Sequence, residues 1–221
     1  MEEKSKGVSL DYLSNYYDTI TPAEKSKFRH NQIGLIELCE GEKVLEVGCG
    51  TGALSILAKL AVVETGEVEG IDIAPKMVMK DREKARKTNL DIGFRTASID
   101  GLPYIDGYFD AVISSMMFHH LPVNTKREGL REIYRVLKNE GRFFLSDFCS
   151  PHFLAIPVMY LMHIWMSSTR YQLFGKLPGL IKENGFEDIR LAKKGFFLEH
   201  YLIMKAKISE KKLDNNFFIK Y

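Results

Sequence analysis

Cysteine is scarce in this chain of 221 residues: Cys39, Cys49 and Cys149 are the only three, and no C-x-x-C spacing relates them. That argues against a disulfide framework or a thiolate zinc ribbon, and reads as reduced thiols in a cytoplasmic protein. Charge of one sign is scarce as well. Lys and Arg total 31 against 29 Asp and Glu, a net +2, which is too weak for a nucleic-acid groove or strong attraction to an acidic membrane. No apolar run reaches the length of a bilayer span. The greasiest window, Phe153 to Met166, contains Pro157, His163 and Trp165, and suits a core helix, a lid or an interfacial segment better than a membrane span. Met1 to Gly7 is charged and lacks an apolar centre, so it does not read as a signal peptide. Internal repeats and low-complexity tracts are absent from the sequence.

What remains is enough for one α/β domain. Hydrophobic residues make up 45% and charged residues 27%, the balance of a globular protein with a full core. Short apolar runs alternate with helical patterns. Val44 to Val47, Glu67 to Ile71, Asp91 to Thr96, Phe109 to Ser114 and Arg142 to Ser146 read as strands. A helix after Thr21-Pro22 runs toward Gly41, and further helices span Gly52 to Leu60, Pro75 to Lys87, Glu128 to Leu137 and Leu177 to Asn184. Pro75 opens its helix and Gly185 closes the last one. Two final strands, near Glu187 to Leu191 and Phe196 to Lys207, have no helix between them. The pattern predicts an α/β, Rossmann-like, seven-stranded, mostly parallel sheet with helices on both faces and a C-terminal antiparallel hairpin. The charged run Lys76 to Lys87 reads as the solvated face of a helix.

The densest signal is Lys43-Val44-Leu45-Glu46-Val47-Gly48-Cys49-Gly50-Thr51-Gly52. A buried strand ends in an acid, and a glycine follows at every second position before a helix begins. Glycine lets backbone approach a ligand closely and tolerates positive φ. The spacing Gly48-x-Gly50-x-x-Ala53, with Asp72 about 20 residues on, also fits a dinucleotide fingerprint. Glu46 in the strand end and Gly52 completing G-x-G-x-G separate the two: a cationic cofactor suits a neighbouring carboxylate, whereas pyrophosphate prefers an uncompensated helix N-terminus. In an open α/β sheet the ligand lies beyond the carboxyl ends of the strands. Glu46, Asp72, Ser98 and Ser115 all fall there.

This E-x-G-x-G-x-G resembles the first motif of class I S-adenosylmethionine (SAM)-dependent methyltransferases. The stretch from Ser98-Ile99-Asp100-Gly101-Leu102-Pro103-Tyr104 to Phe109-Asp110-Ala111-Val112, then Phe118-His119-His120-Leu121 and Arg135-Val136-Leu137-Lys138, is similar to the ubiquinone/menaquinone-biosynthesis-like (type 11) methyltransferases; Tyr17-Asp18 resembles their upstream Y-D element. The resemblance covers roughly residues 10–150. It implies SAM as cofactor, S-adenosylhomocysteine (SAH) as product, and roles for individual residues. Glu46 and the loop Gly48, Cys49, Gly50 and Gly52 would cradle the methionine part and ribose. Asp72 would accept both ribose hydroxyls, Ile73 and Met77 would flank the adenine, and the Ile99 backbone would address the ring. Ser98 stands where the family has an Asp facing the adenine amino group, so a neutral bond replaces a charged one. Ser115 and Tyr17 would close the methionine end.

Methyl transfer needs proximity, alignment and desolvation more than acid–base chemistry. His119 and His120 lie where the sulfonium is expected, either as base and substrate-orienting groups or as packing residues of the loop. Asp147, Cys149, His152 and His163 show no metal-ligand spacing, and no metal is expected. The apolar insertion, with Phe153, Met159 and Trp165, reads either as a lid over an apolar acceptor or as a helix packed on the core or a second subunit. The organisation predicted is a helical cap over 1–40, a SAM-binding core over 41–150, a lid over 151–176, a helix and strands completing the sheet over 177–208, and a tail over 209–221. The activity predicted is methyl transfer to a small, apolar or amphipathic acceptor. A polar metabolite or protein acceptor, a non-catalytic SAM-binding module and a nucleotide-dependent oxidoreductase are the alternatives. Partners predicted are the acceptor and a second copy at most, as monomer or homodimer, with no nucleic acid and at most a peripheral membrane contact.

Overall fold

The computed structural model describes residues 22–148, 176–194 and 201–207. Tyr17, the insertion with Phe153, Met159 and Trp165, Cys149, His152, His163 and the tail lie outside the described residues.

The elements follow one another as α1 (Pro22–Ile36), β1 (Lys43–Val47), α2 (Ala53–Val62), β2 (Glu67–Asp72), α3 (Pro75–Thr88), β3 (Gly93–Thr96), β4 (Phe109–Ser115), a 3₁₀ turn (Phe118–His120), α4 (Val123–Val136), β5 (Leu137–Phe148), α5 (Leu177–Glu183), β6 (Glu187–Lys194) and β7 (Tyr201–Lys207). Five strands pair in parallel in the order β3-β2-β1-β4-β5. Beyond β5 the pairing is antiparallel, with β7 on β5 and β6 on β7. The order reverses between β1 and β4, so the two strands diverge there into oppositely placed crossovers and open a crevice at their carboxyl ends.

Neighbouring residues of a strand point to opposite faces, and both faces of this sheet are covered. Leu45, Val47 and Val112 pack with Leu130 and Ile133 of α4 and Leu180 of α5. Val44, Ala111 and Ile113 pack on the other side with Ile36 of α1 and Leu54, Ala58 and Val62 of α2. That is why the central strands β1 and β4 read as largely apolar runs, interrupted within by Glu46 and Asp110. A smaller cluster of Cys49, Val78, Ala85 and Phe94 fastens α3 to β3.

Three boundaries differ from expectation. α1 stops at Ile36, because Glu37 takes a left-handed φ of 55°. α4 begins at Val123, straight after Pro122, so its first turn is the polar stretch Asn124 to Arg127 that carries no apolar signal. β5 starts earlier than the strand expected at Arg142 and carries a bulge: pairing steps from Phe109↔Leu137 to Ala111↔Arg142, with Glu140 at φ 62°. The run Lys76 to Lys87 is a solvated face only in part, since Asp81 within it is fully buried. Gly185 caps α5 as expected, at φ 92°. Among the described residues no helix is long and apolar enough to cross a membrane.

Candidate functional site

The crevice at the switch point is a solvent-open cleft, the usual place for a ligand in an open α/β sheet. Gly48, Gly50, Asp72, Ile73, Met77, Ser98, Ile99, Ser115 and His120, all singled out in the sequence, line it. A recess lined by Phe28, Arg29, Glu46, Cys49 and Ala53 adjoins it; the two share Gly48, Gly50, Ser115 and Met116 as lining.

Asp72 ends β2 and holds the loop as well as facing the cleft. Its Oδ1 accepts the Ala74 N–H at 2.8 Å and its Oδ2 the Gly50 N–H at 2.9 Å. Glu46 is buried in the strand end and accepts from the Ser55 hydroxyl. Burial pushes its carboxyl up to about 8, against the hydrogen bond from Ser55, with the Asp81 charge adding to the rise and Arg29 opposing it. Ser115 ends β4, and its Oγ accepts from the Gln32 amide of α1 at 2.9 Å.

The glycines divide their work. A Cβ on Gly48 (φ 74°) would lie 2.4 Å from the Met117 side chain, so this position must be bare for the loop after β4 to close over it. A Cβ on Gly52 (φ 65°) would meet Phe94 and Asp81 at 3.0–3.1 Å; this glycine seats α2 against the core and is not among the cleft residues. Cys49 also turns inward. Its thiol donates to Asp81 Oδ2 at 3.1 Å, and burial raises its pKa well above the ordinary value.

The two histidines have different surroundings. His119 is buried on the 3₁₀ turn, with its backbone N–H donated to Asp147 Oδ2 at 2.9 Å and its Nδ1 2.8 Å from Asp147 Oδ1. It does not line the cleft. His120 does, with its ring 3.9 Å from that of His119 between centroids. Its Nδ1 is buried without a hydrogen-bond partner among the described residues. Burial, helped by His119, lowers its pKa to about 4, so the ring is neutral at physiological pH. Lys126 sits behind them, fully buried, donating to the Leu121 carbonyl at 2.6 Å; burial brings its pKa down to about 8. Among the described residues no group of His, Cys, Asp and Glu is arranged to hold a metal ion.

Met116, Met117 and Leu121 line the cleft without having been singled out in the sequence, and so do Phe28 and Arg29 in the recess. Met116 carries a positive φ of 53°, a strained setting of the kind that clusters at functional sites. Only Leu121 belongs to a stretch quoted from the sequence; no local pattern announces the others.

The donor set fits SAM rather than a dinucleotide. A pyrophosphate cradle needs free backbone N–H groups, but four of the loop's are committed within the protein. Gly48 and Cys49 both donate to the Ile71 carbonyl at 2.8 and 2.9 Å, Gly52 to the Cys49 carbonyl at 2.9 Å, and Gly50 to Asp72. Asp72 flanks the loop instead, with a carboxylate that can accept from ribose hydroxyls.

Comparison with known proteins agrees with this geometry. Residues 44–141 match the family model described as a methyltransferase domain. The chain is 33% identical over 123 residues to a ubiquinone/menaquinone biosynthesis C-methyltransferase of Edwardsiella ictaluri, covering 55% of this chain and 48% of that protein. It is 34% identical over 117 residues to a 27-O-demethylrifamycin SV methyltransferase of Amycolatopsis mediterranei, covering 52% and 42%. The chain thus spans about half the length of the curated relatives it matches. A crystal structure described as a putative S-adenosyl-L-methionine-dependent methyltransferase from Methanococcus maripaludis superposes with a TM-score of 0.68 at 17% identity, over 96% of this chain and 99% of that one. Residues 44–141 thus match a methyltransferase domain, and the matched stretch is similar in sequence to ubiquinone/menaquinone biosynthesis C-methyltransferases.

Proposed function

We propose that this protein transfers the sulfonium methyl group of SAM to a small, apolar or amphipathic acceptor by in-line displacement and releases SAH. The observation that carries the reading is the cleft itself. Its lining brings together the Asp72 carboxylate at the end of β2 and the soft apolar side chains of Met116, Met117 and Leu121. Bound there, SAM supplies an activated methyl group. Asp72 holds the ribose hydroxyls while keeping the glycine loop in place. Ile73 and Met77 sandwich the adenine, and Ser98 and the Ile99 backbone address its edge. Glu46, Gly48 and Ser115 would bound the amino-acid half; Tyr17, expected at that end from the sequence, lies outside the described residues. Methionines suit an adaptable apolar surface for the acceptor. His120, held neutral, orients the acceptor through a hydrogen bond; with a pKa of about 4 it is a weak base at pH 7. His119, bonded to Asp147, fixes the turn that presents it.

The finer organisation belongs to the same reading. The sheet is the seven-stranded one expected from the sequence, closed by β6 and β7. The cap and the lid expected from the sequence, the latter with Phe153, Met159 and Trp165, fall largely outside the described residues. The few cysteines support a cytoplasmic protein, monomeric or homodimeric. The two curated relatives are named for unlike acceptors, so the acceptor atom does not carry over from them.

The test is calorimetric titration with SAM, SAH and NADH, followed by incubation with methyl-labelled SAM and a panel of quinols, lipids, thiols and amines. Binding of SAH but not NADH, with label appearing on an acceptor, supports the proposal. SAH binding with no labelled product from any acceptor favours a non-catalytic module. NADH binding in place of SAH overturns the reading.

A further inference from the structure

After β3 the chain runs along the cleft through Ala97, Ser98 and Ile99, which all line it. This segment is held at both ends. The Ala97 N–H donates to the Asp72 carbonyl at 3.1 Å. Further on, the Leu102 N–H donates to Glu132 Oε2 at 2.8 Å, and the Leu102 carbonyl accepts from Arg135 Nη2 at 2.9 Å. Arg135 also donates to the Tyr104 carbonyl at 2.7 Å and to both Glu132 oxygens at 2.8 Å. Glu132 and Arg135 belong to α4, a helix that contributes no residue to the cleft lining among the described residues.

Between these anchors the Ile99 side chain packs into α4. It is 5% exposed and belongs to the core cluster with Leu130 and Ile133. The space it fills exists because Gly129 has no side chain: a Cβ there would lie 2.8 Å from both Ile99 Cδ1 and Cγ1 and 3.2 Å from Cγ2. Gly129 is buried within α4, where glycine is unfavourable relative to alanine and no turn geometry asks for it. Its use here is the room it leaves. Ile99 is β-branched and stiff at χ1, and its Cδ1 and both γ carbons are all in range, so a change of rotamer does not clear a methyl group at position 129. Gly129 and Glu132, three apart, share a face of α4, so the notch and the clamp act on the same loop.

Resting on the cofactor reading above, we propose that Gly129 is a positioning residue for the cofactor: its missing side chain lets Ile99 seat in α4 and so sets the depth of the slot in which Ser98 and the Ile99 backbone meet the adenine edge. Gly129 touches no ligand and acts only through Ile99. A methyl group at 129 pushes Ile99 back toward the cleft. Because both ends of the loop are clamped, the displacement falls on the Ser98–Ile99 backbone rather than spreading along the chain.

The experiment is a double-mutant cycle on the full chain: wild type, Gly129→Ala, Ile99→Ala and the double variant, each titrated calorimetrically with SAH and with 5′-methylthioadenosine, and each unfolded in urea. The second probe keeps the adenine but has no amino acid. Gly129→Ala is expected to weaken both probes by the same factor, about fivefold to a hundredfold, the affinity equivalent of ordinary overpacking. In the Ile99→Ala background the same substitution should change either affinity by less than about twofold, because the new methyl group has nothing left to strike. A residue that only packs the core would lower the urea midpoint and leave the affinity of the folded protein alone; that result in Gly129→Ala would overturn the proposal. Weakening of SAH alone, which places the effect at the amino-acid end, would overturn it too, as would an equal loss in both backgrounds. Should Gly129→Ala fail to fold, Gly129→Ala with Ile99→Val, which relieves only the Cδ1 contact, takes its place against Ile99→Val under the same expectations. Wild-type protein that binds neither probe would overturn the cofactor reading itself, and the proposal with it.

Discussion

Replacing Glu46 by Gln should make the free protein more stable and its cofactor site worse. In the folded state burial holds the Glu46 carboxyl near pKa 8, while a solvated glutamate has 4.5. Between these values the unfolded chain has released a proton that the folded chain keeps. Folded protein therefore binds more protons, and stability falls as pH rises. The contribution is complete below pH 4.5, declines steadily above it, and is lost once pH passes 8. At pH 7 the interval from 4.5 corresponds to about 3 kcal/mol at 1.36 kcal/mol per unit. Gln has the shape of the protonated acid, and its amide oxygen can still accept from Ser55. Glu46→Gln should thus exceed wild type by about 3 kcal/mol at pH 7, by less than about 1 kcal/mol at pH 5, and by a constant amount above pH 9. Urea unfolding with linear extrapolation at pH 5, 7 and 9 measures this directly. The same variant should bind SAH more weakly, because Gln cannot become the carboxylate that an ammonium group prefers. Parallel stability–pH curves for variant and wild type would refute the argument and mean that Glu46 is ionised in the fold.

Three further outcomes follow from the site. Asp72→Ala should weaken SAH binding by about 1.5–3 kcal/mol in calorimetry, the range for losing charged hydrogen bonds; unchanged affinity would remove Asp72 from the site. Asp147→Ala leaves the buried His119 N–H and Nδ1 without their acceptor and should lower unfolding free energy by about 3 kcal/mol in urea, against a negligible change if that pair is solvated. The His120 ring, with its pKa lowered to about 4 by burial, should show no titration of its ring-proton NMR shifts between pH 5.5 and 8, an interval chosen to bracket the ordinary histidine value of roughly 6.5. A midpoint inside that interval would restore His120 as a candidate base.

Much of the molecule was legible along the chain. Val44 to Val47 and Phe109 to Ser114 read as strands because a strand covered on both faces is apolar at most positions. Gly48 and Gly50 stood out because the loop backbone adopts positive φ at both. Asp72, Ser98 and Ser115 were placed by topology alone, since strand ends converge at a switch point. What could not be read there had a common cause. Gln32 looks like an ordinary polar residue of α1; its meaning comes from Ser115, 83 residues away. Asp81 sits in a charged run, and only the packing of α3 under the glycine loop turns it inward to the Cys49 thiol. His119 and His120 are adjacent in sequence, yet the 3₁₀ turn sends one to Asp147 and the other to the cleft.

By itself, then, the sequence determined the class of fold, the glycine loop and the acids at the strand ends. These depend on side-chain period, on glycine's freedom at φ > 0 and on the order of elements, all of them local or topological properties. The tertiary structure alone decided which polar side chains are buried, that Glu46 keeps its proton, and that a cation from α1 faces the loop. Those are consequences of desolvation and of contacts between distant segments, and no window along the chain contains both partners.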